Sequence, residues 1–313
     1  MDHLKLHVLP RVEMTREEFL VNTLRNSIAL DGVVKGGPFF DPVTKHMNID
    51  HHDGVVREAT MSTCKQVFYA IKAGLFESFR DERGRPFANA YLNDPDQDTS
   101  LSFFELQNYK MLEGTNGSPA LNRLIELTDR LDVTAGAFPM SLSDQLLRQY
   151  AWIFQNYSDL RKSGKLAVAN AGEIRACLEA TSSRIMDYLL GRGSELELDT
   201  RYEILHEDPR FKVINEIGGN DARYFLFSKG LNAFISLVAT RPDGNRVYSV
   251  GRRSMLIPFP VKELYDVFNA AEGLTKDGWG SSDIVGGSSR LHGSKLTPSE
   301  LFRLTKDYLD KSK

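Results

Sequence analysis

Two short segments able to pass through a core as strands, residues 27–30 and 45–49, each run straight into polar residues, Asp31-Gly32 and Asp50-His51-His52. After the second, residues 62–79 (STCKQVFYAIKAGLFESF) set Val67, Ile71 and Leu75 at helical spacing, with Ser62 or Thr63 suited to cap the first turn. Strand, polar cluster and capped helix in succession restrict this part of the chain to an α/β layer. The same order returns at residues 86–92, a mainly apolar segment followed by the polar break Asn93-Asp94-Pro95-Asp96-Gln97-Asp98 and a helical stretch over 99–111. Turns at strand ends are where α/β sheets usually gather ligands.

Further along, residues 122–159 read as largely helical, interrupted at Thr134-Ala135-Gly136, and 171–190 as another helix. The small, polar run Gly191-Arg192-Gly193-Ser194-Glu195 reads as a joint. Domains are therefore expected at 1–192 and 201–313, with 193–200 as linker. Beyond it, 223–227 and 233–239 read as strands, Pro242-Asp243-Gly244-Asn245 as a turn leading into a strand at 246–250, and 261–271 and 298–311 as helices. The C-terminal third is expected to be a smaller α/β or α+β domain.

A chain of 313 residues with 41% apolar content can bury two cores of this kind. Its formal charge of -3 leaves no basic excess for duplex nucleic acid, while a small charged substrate or a short single strand stays compatible. Cys64 and Cys177 form no paired CxxC motif of a zinc or redox site. The opening MDHLKLHVLPRVEMTREEF has no continuous apolar stretch of a secretory kind, and no later run reaches about 18 apolar residues. A soluble, reduced, cytoplasmic protein that binds no membrane is the expectation. The residues leave its oligomeric state open, a homo-oligomer included.

Chemistry concentrates in Asn48-Ile49-Asp50-His51-His52-Asp53, two imidazoles and two carboxylates at a strand end. Imidazole and carboxylate together suit Mn²⁺, Fe²⁺, Co²⁺ or Zn²⁺, and two such ions can share a bridging carboxylate. Neighbouring side chains on an extended segment point to opposite sides, so one histidine is suited to metal and the other to substrate. The competing reading makes both histidines solvated members of a turn through Asp53-Gly54.

The segment IDHHDGVVREATMSTCKQ, residues 49–66, resembles the signature motif of the DHH phosphoesterase family. The resemblance implies a mainly parallel-sheet domain with helices on both faces, followed by a DHHA1-like substrate-binding domain. Asp94-Pro95-Asp96-Gln97-Asp98 resembles the second half of the family's His-x-x-x-Asp-x-Asp element. Leu92 stands where the family has histidine, with Asn93, Asp94 or His46 as nearby substitutes, and the element follows the DHH motif instead of preceding it, as in a permuted arrangement. Asp31 resembles the family's strand-end bridging aspartate, and Asp132 its aspartate of a Thr-Asp-Thr-Gly type segment. Gly286-Gly287-Ser288-Ser289-Arg290, continuing to Leu291-His292-Gly293-Ser294, resembles the glycine-rich substrate loop of the second domain.

These likenesses imply a metal-dependent hydrolase acting on a phosphodiester or phosphoanhydride of a small nucleotide, dinucleotide or short oligonucleotide. Mn²⁺ is the implied cofactor, as two ions, with Mg²⁺ or Co²⁺ as substitutes. Asp31, His51, Asp96, Asp98 and Asp132 are the implied ligands. His52 would contact the phosphate or leaving group, Asp50 would orient a histidine, and residues 286–290 would hold substrate. Each element has a plainer alternative: a turn at Asp31, a helix cap at 94–98, an Arg130 partner or helix cap at Asp132, and a flexible connection at 286–290. Arg252 and Arg253 could clamp phosphate or solvate a strand end. Phe39, Phe40, Phe103 and Phe104 read as core residues before base-stacking ones. Two other readings of the whole chain are an inactive nucleotide-binding sensor and a pyrophosphatase-like enzyme.

Overall fold

The computed structural model describes residues 3–311. Its contacts fall into two compact units: residues up to 133 with 152–157 and 170–195, and residues 134–151 and 158–169 with those from 196 onward. A single break at 193–200 does not describe this division, because two earlier stretches belong with the C-terminal residues. Ala137 packs with Ile214 and Leu226, and Arg161 pairs with Glu216. Composition marks an exposed joint but is blind to such long-range packing.

The first unit holds β1 (Leu4–Val8), α1 (Arg16–Asn22), β2 (Ser27–Leu30), β3 (Phe39–Asp41), β4 (His46–Ile49), α2 (Thr63–Lys72), α3 (Leu75–Ser78), β5 (Ala88–Leu92), α4 (Gln97–Gln107) and α5 (Pro119–Val133). Helix α8 (Ala171–Leu189) also belongs to it, while the residues of α6 (Gln145–Ile153) and α7 (Gln155–Lys162) divide between the two units. The sheet order is β1-β5-β2-β4-β3, with parallel pairing throughout except for the antiparallel edge strand β3. All four residues of β2 are buried, as expected of a central strand covered on both faces. Ala29 and its register partner Tyr91 pack under Phe19 of α1 together with Val33 and Val34. Side-chain alternation turns Ile28 and Leu30 to the opposite face.

Where the helical expectation ran over 62–79, Gly74 at φ +89° divides α2 from α3. Helix α4 begins at Gln97, before the expected 99, because Asp96 caps it by accepting the Thr99 N–H at 2.8 Å.

The second unit is built on β6 (Glu203–Asp208), β7 (Phe211–Asn215), α9 (Asn220–Ser228), β8 (Ala233–Thr240), β9 (Arg246–Arg252), α10 (Val261–Glu272), β10 (Gly280–Ser281), β11 (Val285–Gly287) and α11 (Pro298–Lys311). Its mixed sheet runs β10-β11-β9-β8-β7-β6, with only β7 and β8 parallel. Neighbouring residues divide between its faces: Val213 and Ile235 pack with Leu264, Phe268 and Leu301, whereas Ile214 and Phe234 pack with Leu226 and Phe227. The expected strand at 223–227 is instead part of α9. Its aromatic content suits a strand, but Ala222, Arg223, Leu226 and Phe227 are the buried residues, a spacing that only a helix presents to one side. Among the described residues no helix is long and apolar enough to cross a membrane.

Glu216, just after β7, ties this unit together. Its fully buried carboxylate accepts hydrogen bonds from Arg161 Nη1 at 2.6 Å, Arg223 Nη2 at 2.7 Å and Ser236 Oγ at 2.7 Å. Burial opposes the charge, but Arg223 and Arg161 outweigh it and hold the carboxyl down at about 2, against an ordinary 4.5. The resulting stabilisation is fully present above 4.5 and disappears as the pH falls through about 2. Glu216→Ala would leave two guanidinium groups without their partner, and calorimetry should show the second unit destabilised by about 3–5 kcal/mol at neutral pH.

Candidate metal centre

Parallel register brings three polar strand ends together. Leu30 of β2 pairs with Ile49 of β4, so Asp31 and Asp50 emerge side by side, and the Asp31 N–H donates to Ile49 O at 3.0 Å. On the other side of β2, β5 leads into the turn that carries Asp96 and Asp98. Asp31 takes a left-handed backbone, φ +50°, which is uncommon outside glycine but tolerated best by Asn and Asp. Both of its oxygens are held by first-turn hydroxyls: Thr63 Oγ1 of α2 donates at 3.0 Å and Thr99 Oγ1 of α4 at 3.1 Å.

Asp98 joins the same two helices from the other direction. Its oxygens accept the N–H groups of Thr63 at 2.6 Å and Cys64 at 2.7 Å, two donors that the first turn of a helix cannot satisfy itself. Asp50 acts within its own turn, where one oxygen accepts from His51 N at 2.7 Å, His52 N at 3.1 Å and His52 Nδ1 at 2.8 Å. Burial works against its charge, but the His52 contact prevails and holds Asp50 below the usual carboxylate range. An ionised carboxylate only accepts, so His52 carries its proton on Nδ1 and keeps Nε2 for another partner.

His51 lies at the centre and is fully buried. Its Nε2 stands 2.6 Å from Asp132 Oδ2 and 3.7 Å from both Asp31 Oδ1 and Asp98 Oδ2. Neither ring nitrogen has a partner in good hydrogen-bond geometry, the Asp132 carboxylate being an ion-pair neighbour that raises the imidazole's proton affinity. Burial and the nearby Arg57 charge push the imidazole towards its neutral form, the form that binds metal. Burial also opposes protonation of His52, but Asp31 and Asp50 raise its pKa. Ligand atoms about 2.0–2.2 Å from one ion stand roughly 3–3.4 Å apart, a spacing that the distances around His51 Nε2 bracket, and a neutral imidazole facing three carboxylate oxygens is a donor set that suits a divalent cation. Among the described residues two groups have donors close enough for an ion: Asp31, His51 and His52, and His51, Asp98 and Asp132.

The remaining charges are arranged unequally. Asp132, near the end of α5, is paired with the buried Arg57, whose Nη2 donates to Asp132 O at 2.8 Å and Oδ2 at 3.1 Å. Despite burial, Arg57 and His51 hold the Asp132 carboxyl far below its ordinary range. Asp98 is driven well upward by burial and by the charges of Asp132 and Asp31. Asp96 is driven well upward by burial and by Asp31 and Asp94, and it belongs to neither close group. Its visible task is the α4 cap.

The structure thus gathers Asp31, Asp50, His51, His52, Asp98 and Asp132, and leaves Asp96 at the margin. No histidine replaces the one expected at Leu92. Leu92 is fully buried, His46 starts β4 and bonds Thr23 Oγ1, and the Asn93 amide donates to Val12 O and Gly32 O. Arg57, Thr63 and Thr99 escape the sequence reading, since a buried arginine or a hydroxyl in a helix's first turn shows its role only once strand ends and helices are juxtaposed.

Residues 286–290 belong to the second unit. A Cβ at Gly286 would meet Tyr265 Oη at 2.1 Å, and one at Gly287 would meet Tyr248 O at 2.4 Å, so tight packing requires both glycines. Ser288 Oγ accepts from Tyr248 N and Ser289 Oγ from His292 N, while Arg290 is exposed. This segment is a strand and a closed turn, not a flexible connection.

No protein-family model and no curated protein matches this chain. A saturating divalent cation should raise the unfolding temperature, by the equivalent of about 2.7 kcal/mol at a hundredfold excess over Kd. Differential scanning calorimetry with Mn²⁺ and with chelator tests this, and His51→Ala should remove the shift.

Proposed function

We propose that this chain is a metal-dependent phosphoesterase of the DHH type, hydrolysing a phosphodiester or phosphoanhydride in a small nucleotide, dinucleotide or short oligonucleotide. The observation that carries the reading is His51, a buried imidazole without a partner in good hydrogen-bond geometry, facing oxygens of Asp31, Asp98 and Asp132. A structural histidine so deeply buried would ordinarily be hydrogen-bonded.

In this reading His51, Asp31, Asp98 and Asp132 hold Mn²⁺, with Mg²⁺ or Co²⁺ as substitutes, and Asp96 contributes to a second position. Bound divalent ions supply an acidified water and neutralise charge on the reacting phosphate. The protein's own groups do the positioning. Asp50 fixes His52 through Nδ1, so that Nε2 can donate to or accept from a phosphate or leaving-group oxygen. Arg57 fixes the Asp132 carboxylate, and Thr63 and Thr99 set the direction of both Asp31 oxygens. A cytoplasmic setting agrees with two unpaired, buried cysteines.

A catalytically silent nucleotide sensor is the second reading. Leu92 favours it, because the aliphatic side chain removes one nitrogen donor from the strand end that carries Asp96 and Asp98.

The deciding assay is Mn²⁺-dependent hydrolysis of cyclic and linear dinucleotides, short oligonucleotides, dinucleoside polyphosphates and pyrophosphate. Turnover that falls at least about 100-fold in His51→Ala, a loss no smaller than that for disturbed metal surroundings, is expected. Turnover confined to pyrophosphate would assign the pyrophosphatase-like activity. Absence of turnover on every substrate would favour the sensor.

A further inference from the structure

The donors at this centre are not shared equally between two ions. Both close groups depend on His51, and a neutral imidazole offers a single lone pair for ligation. His52 cannot make up the difference through Nδ1, which is engaged by Asp50 at 2.8 Å, and its Nε2 lies across the ring from Asp31. The distances around His51 Nε2, 2.6 Å to Asp132 and 3.7 Å to both Asp31 and Asp98, bracket the edge of one coordination shell, and all three oxygens face this one nitrogen.

At the end of β5 the surroundings are different. Leu92 is fully buried aliphatic core, and one oxygen of Asp96 is committed to the Thr99 N–H. Beside Asp31-Gly32, Asn93 keeps a buried side-chain oxygen without a hydrogen-bond partner. An ion there would find oxygen ligands only, two of them from carboxylates that already serve elsewhere. For Mn²⁺ or Co²⁺ such a set is weaker than one containing imidazole.

We propose that the free protein firmly holds one divalent ion on His51, Asp98, Asp132 and Asp31, and that a second joins at Asp31 and Asp96 only with a phosphate-bearing substrate that brings its own oxygen ligands. This rests on the metal-centre part of the function proposed above, and not on hydrolysis. The site is asymmetric because Leu92 withholds a nitrogen.

The test strips the full chain with chelator, reloads it with Mn²⁺, desalts it, and reads metal content together with the electron paramagnetic resonance spectrum. About one Mn²⁺ per chain is expected, with the hyperfine pattern of an isolated ion. His51→Gln should lose it. Asp96→Asn should retain it, because Asn caps a helix as well as Asp does, and Leu92→His should raise the content to about two with an exchange-coupled signal. Circular dichroism checks the fold of each variant; should Leu92→His fail to fold, the wild-type and Asp96→Asn contents decide. Two ions or none in the wild-type protein would overturn the proposal, as would a loss in Asp96→Asn as large as that in His51→Gln. Two retained ions with turnover would leave the phosphoesterase reading standing while this one fell; one ion with no turnover on any phosphate substrate would do the reverse.

Discussion

The two short hydrogen bonds from the Thr63 and Cys64 N–H groups to Asp98 organise the first unit. They satisfy donors that α2 must leave open at its start, and they do so with a side chain from the first turn of α4. A helix start carries partial positive charge, so a carboxylate there is stabilised as well as hydrogen-bonded. Asp31 completes the connection, since its oxygens take the hydroxyls of Thr63 and Thr99 from the same two turns. The ends of β2, β4 and β5 are therefore held by a polar lattice whose acceptors are also the proposed metal ligands. Any change that frees one of these acceptors for an ion has to respect its task in the fold.

Charge makes that lattice incomplete on its own. Asp31, Asp50, Asp96, Asp98 and Asp132 meet Arg57 and two imidazoles, of which His51 is pushed towards neutrality. Buried like charges raise one another's pKa, as the upward drive on Asp96 and Asp98 shows. Glu216 in the second unit is the opposite case. There one buried carboxylate has two arginines and a serine, and every acceptor is used. The first arrangement has the charge surplus that a divalent cation would balance, and the second is a closed structural pair.

Much of the first unit was legible because its signals are local. Residues 27–30 and the course of α2 follow from apolar spacing, and Asp50-His51-His52 was recognisable as a strand end; the cap expected of Ser62 or Thr63 comes instead from Asp98, which takes the first-turn N–H groups. Asp96 shows how one pattern can serve two readings, since the acidic turn does cap α4 while burial and the nearby Asp31 drive its own carboxyl well upward. The strand expected at 223–227 failed for a different reason: its aromatic residues favour a strand locally, but β7 and β8 pair directly with each other and the segment between them buries Ala222, Arg223, Leu226 and Phe227 as a helix. Arg57 was invisible because its partner Asp132 lies 75 residues away.

The sequence by itself determined the α/β character, the sites of the polar strand ends and the residue types that could bind a metal, because each depends on neighbours within a few positions. Only the tertiary structure decided which of those residues meet. Parallel pairing in the order β5-β2-β4 sets three strand ends side by side, and α5 returns Asp132 to His51. It also decided that residues 134–151 and 158–169 belong with the C-terminal unit, and that Gly286 and Gly287 answer to close packing. These outcomes come from contacts between residues far apart in the chain, where the burial of apolar surface and the need to satisfy every buried polar group override local preference.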